Sequence, residues 1–197
     1  MARQQGLLRF ALIFPSLIIN EHFHVRDLPG SGRRIDILCR SLAACFDWGP
    51  TTWPREKLQV DAIIGNRVVL EIDCPETNIL QGEVFWALEI KRALSGSPPS
   101  YIAVKETGLA DYIDEILAAS NSKIWALEET GIEIAKITGL DATSSHIILI
   151  GDHEGYNEES LAIISDRSIY RISLGRTSYL GSHCIAAIIG LLERKVE

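Results

Sequence analysis

Cysteine is scarce in this sequence and irregularly placed. The four that occur, Cys39, Cys45, Cys74 and Cys184, form no CxxC pair and no regular framework. That argues against a zinc site or a disulfide scaffold and for separate, reduced thiols. Long apolar runs are missing too. The longest, such as HIILIG, fall far short of a bilayer span, and the opening MARQQGLLRF lacks a signal-peptide pattern, so the chain is expected in the cytoplasm, away from membranes. There is no low-complexity tract and no repeat. Neither GxGxxG nor GxxxxGKS is present, so neither a nicotinamide dinucleotide nor a nucleoside triphosphate is supported. No HExxH or similarly spaced set appears either. Asp152, His153 and Glu154 are immediate neighbours, and His22 and His24 sit in EHFH; adjacent side chains seldom point at one ion, so no metal is expected.

What is present describes a globular chain. Its 197 residues are 47% hydrophobic and 23% charged, enough to bury a sizeable core and consistent with one domain over 1–197. The net charge of −7 argues by itself against a nucleic-acid partner, but the distribution is uneven. Residues 1–40 carry six Arg against three acids, residues 166–197 five bases against three acids, and residues 73–165 five bases against sixteen acids. A polyanion would therefore meet the two ends of the chain, provided the fold brings them together.

LLRFALIF (7–14) reads as a buried strand ended by Pro15, and HVRDLPGSGRR as a basic loop rich in turn formers. Ile35, Leu38, Leu42, Cys45 and Phe46 then recur at helical spacing. AIIGNRVVLEI is a hairpin turning at Gly65 and Asn66, taken as a small extension over 61–72. NILQGEVFWALEIKRAL reads as a helix capped by Asn78, with Leu80, Val84, Ala87, Leu88 and Leu94 as its apolar stripe. Beyond the break at 95–99, YIAVK is a strand, GLADYIDEILAA a helix, KIWAL, HIILIG and SIYRISL strands, and the end a helix. Such alternation predicts an α/β fold with a mainly parallel sheet covered on both faces. Ligands of such sheets bind beyond the carboxyl ends of the strands, which singles out the segments after Leu127, Ile150 and Leu174.

Those strand ends carry the candidate chemistry. GDHEGYNEES (151–160) has Gly151 and Gly155, which let backbone approach a ligand closely. ISLGRTSYLGSHC (172–184) opens a strand into a Gly, Ser, Thr and Arg loop and sets His183 and Cys184 where the last helix begins. A helix start favours a thiolate, but neighbouring His183 is poorly placed to serve Cys184 as a base, so a small buried residue under a ligand is the better reading of Cys184.

Taken together, DLPGSGRRIDILCR (27–40), ILIGDHEG (148–155) and RISLGRTSYLGSHC (171–184) resemble the archaeal tRNA pseudouridine(54) N1-methyltransferases of the SPOUT superfamily, in order and spacing over nearly the whole chain. The resemblance implies an α/β fold with a C-terminal trefoil knot, a feature no periodicity indicates. It also implies S-adenosylmethionine as cofactor, tRNA as substrate, and a homodimer with the last helix near the interface. Carried over by position, the cofactor contacts are Leu127, Gly151, Ile172, Ser173, Leu174, Gly175 and Cys184, and the substrate element is Arg34 with Asp36. Asp36 would accept or orient the N1 proton of pseudouridine, and Arg34 would fix a phosphate or base edge; a purely structural ion pair is the alternative. Arg33 stands where the family prefers Gly, and Ser182 where Asn is common. Methylation of pseudouridine in ribosomal RNA, or knotted RNA binding without turnover, are the competing functions.

Overall fold

The computed structural model describes residues 5–17, 22–31, 34–48, 53–76, 82–119 and 122–195. One seven-stranded sheet runs through the molecule in the order β4-β3-β2-β1-β6-β5-β7. Its strands are β1 (Leu8–Phe14), β2 (Leu58–Ile64), β3 (Val68–Asp73), β4 (Ile102–Lys105), β5 (Lys123–Glu133), β6 (His146–Gly151) and β7 (Tyr170–Ser173). The neighbours from β2 through β1, β6 and β5 to β7 are parallel, while β3 is antiparallel to both β2 and β4. The helices are α1 (Leu28–Ser31), α2 (Ile35–Phe46), α3 (Gly82–Leu94), α4 (Leu109–Ala119), α5 (Glu158–Asp166) and α6 (Gly181–Glu193).

Alternation along the inner strands builds two cores. Leu8, Phe10, Leu12 and Phe14 of β1, with Val60 and Ala62 of β2 and Ile148 and Ile150 of β6, pack under α2, α3 and α6. Ala11 and Ile13, with Ile63, Ile147 and Leu149, pack under α4 and α5. Both faces are apolar because both are covered, as expected for parallel strands. Asp61 and Gln59 of β2 bring polar side chains to the second face. Asp61 is fully buried, accepts from Tyr112 Oη at 2.5 Å and pairs with Arg9 at 3.3 Å. Burial pushes its carboxyl up to about 7, against the opposing pull of Arg9 and Tyr112.

Three expectations need correction. The 61–72 hairpin is no appended extension: β2 lies inside the sheet beside β1, and its seven residues are all buried. α3 turns a different face inward, burying Trp86, Ala87, Ile90 and Ala93 while Val84 and Leu88 are exposed. Trp86 decides this, because its ring sits 5.5 Å from Phe46, edge-on to Phe85 and Tyr101, and its Nε1 donates to Asp47. Asn78 and Leu80 lie outside the described residues. Finally, the basic loop contains the one-turn helix α1, and β5 runs six residues beyond KIWAL before bending into a 3-10 turn at Ile134–Lys136.

The two basic ends of the chain do come together. α2 and α6 pack side by side, and a Cβ at Gly181 would stand 3.4 Å from Ser41 Oγ. No described helix is long and apolar enough to cross a membrane.

Candidate active site

The loops that leave the carboxyl ends of β6 and β7 meet the irregular middle of β5, where its pairing with β7 shifts between Leu127 and Ile132, around a cavity of about 330 Å³, a size suited to a small ligand. Leu127 to Thr130 form one wall, Ile150 to Tyr156 a second, and Leu174, Gly175 and Thr177 to Tyr179 a third, with Cys184 of α6 at the base. Among the sequence-predicted cofactor residues, Leu127, Gly151, Leu174, Gly175 and Cys184 line this space. Ile172 and Ser173 are buried in β7 behind it.

Backbone constraints shape each wall. A Cβ at Gly151 would come within 2.5 Å of the Gly155 carbonyl carbon, so the second wall folds back on itself only with glycine there. Gly155 takes φ +85°, and its N–H donates to Asp152 O at 3.1 Å. Tyr156 then reaches back to donate its hydroxyl to Leu149 O at 2.7 Å. In the third wall Gly175 adopts φ +125° and donates its N–H to Ser173 Oγ at 2.9 Å. The same hydroxyl lies 3.2 Å from Glu129 O, fastening the third wall to the first. Substituting Gly151 by alanine is expected to weaken binding of an occupant by tenfold or more, since overpacking of about 1–3 kcal/mol must be relieved by opening the loop. Calorimetric titration of S-adenosylmethionine, with circular dichroism to confirm folding, measures this.

The lining combines apolar walls with negative charge. Leu127, Ile150, Leu161 and Leu174 supply the former, and Glu128, Glu129, Asp152 and Glu154 the latter, with no lysine or arginine among the lining residues. Glu128 Oε1 is buried without a hydrogen-bond partner in the described structure, while its other oxygen pairs with Arg171 at 3.4 Å. Such a cavity suits an occupant with an apolar ring system and positive charge, which describes S-adenosylmethionine. Burial pushes the Cys184 thiol up to about 11, so it stays protonated at neutral pH despite its place in the first turn of α6.

The second group of residues stands at the start of α2, the helix that follows β1, and hence at the same carboxyl edge of the sheet. Arg34 donates from Nε and Nη2 to the two oxygens of Asp36 at 3.1 and 3.3 Å. Arg40, one turn further on, donates from Nη2 to Asp36 Oδ2 and from Nε to the Asp36 carbonyl at 3.3 Å. Arg34 holds φ 73°, a left-handed conformation that costs a non-glycine residue about 1 kcal/mol or more and marks a position fixed by its surroundings. Burial alone would raise the Asp36 carboxyl, but the two guanidiniums outweigh it and hold the group below the usual carboxylate range. Asp36 and Arg40 open onto a shallow groove with Val25, Arg26, Leu28, Pro29 and Glu83. Neither Arg34 nor Asp36 lines the cofactor-sized cavity within the chain. Arg33 lies outside the described residues, and Ser182 is buried in the first turn of α6.

Arg40 closes the 27–40 motif but carries no assigned role there, although an Asp and an Arg four residues apart on a predicted helix face each other, and that spacing is a readable signal. The acidic lining at Glu128 and Glu129 has no such signal, because it depends on where β5 bulges away from its pairing with β7.

Residues 8–196 match the sequence profile of the family described as "Putative SAM-dependent RNA methyltransferase". The chain belongs to this family. Among curated members of the wider group it resembles, a tRNA (pseudouridine(54)-N(1))-methyltransferase of Methanococcoides burtonii is 26% identical, over 95% of this chain and 96% of that protein. One of the same name from Thermococcus gammatolerans is 28% identical, over 84% of this chain and 87% of that protein. Among solved structures, Archaeoglobus fulgidus Nep1 bound to S-adenosylhomocysteine superposes with a TM-score of 0.66 at 16% identity, covering 97% of this chain and 98% of that one. This methyltransferase family membership, together with the shared fold, makes S-adenosylmethionine the cofactor whose fit the acidic, apolar cavity satisfies.

Proposed function

We propose that the protein methylates N1 of pseudouridine 54 in the T-loop of tRNA. The observation that carries this reading is the cavity between β5 and the ends of β6 and β7, in a chain similar over nearly its full length to relatives named for that reaction. When bound, S-adenosylmethionine supplies an electrophilic methyl group. Leu127 and Leu174 provide apolar contact, the backbone around Gly151 and from Ile172 to Gly175 provides hydrogen-bonding groups, and Cys184 closes the base. The carboxylates of the lining favour a cationic occupant. Arg34 and Asp36 act on the nucleotide side.

The active form is a homodimer. A groove of about 530 Å³ runs along the outer face of α6, where Ala186, Ala187 and Gly190 leave room for a close neighbour, and it shares Leu174 and Tyr179 with the cavity. A second copy seated there would cover the cavity mouth and bring its own Arg34 and Asp36 toward it. The C-terminal segment is knotted, with α6 passing inside the 134–145 connection. Supporting this, Lys195 Nζ donates to Ile137 O and Leu140 O, and Ile134, Leu140 and Cys184 share one core. Four free cysteines suit a cytoplasmic setting.

Labelled methyl transfer to tRNA transcripts carrying pseudouridine or uridine at position 54 tests the reading. Transfer to the first alone is expected, and affinity for that RNA should fall steeply with salt as phosphate contacts release counterions. Transfer to neither, with cofactor still bound, would move the search to ribosomal RNA; cofactor that does not bind would overturn the reading.

A further inference from the structure

Asp36 is poorly equipped to take a proton. Both of its oxygens are occupied by guanidinium donors, from Arg34 on one side and Arg40 on the other, and its side chain is only 7% exposed. The two arginines, by contrast, retain 43% and 30% exposure, and each has donors not used by Asp36. The other charged groups at the groove are Arg26 from the preceding loop and Glu83 from α3, so Arg26 and Arg40 stand beside Asp36 and Glu83 along its lining, with Arg34 bound to the far side of Asp36. Cys39 of α2 lies beside them with its thiol held neutral by burial. With Asp36 spent on fixing two arginines that keep exposed, unused donors, the cluster presents guanidinium groups to an anion.

We propose that Arg40, held with Arg34 by Asp36, stabilises the nucleobase anion left when N1 of the target pseudouridine gives up its proton. The proposal rests on the methyltransferase reading above and extends it to Arg40. In the step, the N1 proton leaves to water, the N1 lone pair forms the new N–CH3 bond, and the S–CH3 bonding pair stays on sulfur, which becomes a neutral thioether. The negative charge on the ring is transient, and fixed guanidinium donors lower its cost without reorganising. Asp36 is a positioning residue in this scheme, and the proton passes to water rather than to its carboxylate.

Single-turnover rates against pH separate this from a structural role. For Arg40→Gln the rate at neutral pH should fall by about a hundredfold, with the deficit shrinking as rising pH ionises N1 unaided, so that its profile levels off at higher pH than that of the unaltered protein. Arg40→Lys, which keeps the charge, should recover much of the loss. Calorimetric affinity for S-adenosylmethionine should not change in either variant. A loss by the same factor at every pH, or no recovery with lysine, would overturn the proposal while leaving the methyltransferase reading in place. Absence of transfer by the unaltered protein to pseudouridine-containing RNA would instead remove that reading, and the proposal with it.

Discussion

Asp36→Asn is expected to lower the methyl-transfer rate by about 10²–10³-fold, the range seen when one preorganised electrostatic group is lost, while S-adenosylmethionine affinity stays as it was. Asparagine keeps the shape but replaces one acceptor oxygen with a donor, so it can no longer hold Arg34 and Arg40 at once. The grip on the pair is then broken, Arg40 keeping only its bond to the backbone carbonyl of residue 36 or sharing the single remaining side-chain oxygen with Arg34. Because Asp36 does not line the cavity formed by β5 and the β6 and β7 loops, cofactor binding has no reason to change. Rapid-quench turnover paired with calorimetry gives both numbers. A variant that turns over normally would reduce the Arg34–Asp36–Arg40 arrangement to a structural ion pair; one that fails to bind cofactor would show that the two sites are not separate in the way described.

The largest loss of stability is expected at Trp86 of α3, which is connected to that chemistry through α2. Trp86 is fully buried, packs against Phe46, Phe85 and Tyr101, and donates its indole N–H to Asp47 Oδ2 at 3.2 Å. The same oxygen accepts from Gly82 N at 2.8 Å, so Asp47 joins the end of α2 to the start of α3. Trp86→Ala should cost about 3–5 kcal/mol, the sum of lost apolar transfer and a cavity that its neighbours only partly fill. Urea denaturation should show a lower midpoint with an unchanged slope. Since α2 carries Asp36 and Arg40 at its other end, any fraction that stays folded should also turn over more slowly. A cost below about 1 kcal/mol would mean that the aromatic cluster collapses freely, and that α3 is not fixed by it.

How much of this is legible in the residues differs from element to element. The strands of the inner sheet announce themselves because both faces are buried and Leu, Ile, Val, Phe and Ala fill nearly every position of β1, β2 and β6. Periodicity alone misplaces the inner face of α3, because it does not say which stripe is inward; a single Trp86 with a polar partner in Asp47 outweighs the more evenly spaced Val84 and Leu88. The hairpin at Gly65 and Asn66 is visible, but its place inside the sheet is not, since that depends on β2 returning parallel to β1 through α2. For the site, the glycines after β6 and β7 can be picked out by their chemistry, and the structure shows why they are needed: Gly151 lies against the Gly155 backbone and Gly175 adopts positive φ. The acidic lining and the second arginine on Asp36 are products of the fold. Glu128 and Glu129 acquire meaning only where the pairing of β5 with β7 is interrupted, and Arg40 only once the helix turns it onto Asp36.

The measurement that bears most directly on the central claim is the identity of the methylated nucleoside. After incubation of the protein with S-adenosylmethionine and a tRNA transcript bearing pseudouridine at position 54, the RNA is digested to nucleosides and resolved by mass spectrometry against standards. A single new product is expected, N1-methylpseudouridine, absent when position 54 carries uridine and strongly reduced with the Asp36→Asn protein. A methyl group found on a ribose hydroxyl or on C5 of uridine would contradict N1 transfer, because such a product requires no N1 proton to leave and gives the Arg34–Asp36–Arg40 cluster nothing to stabilise.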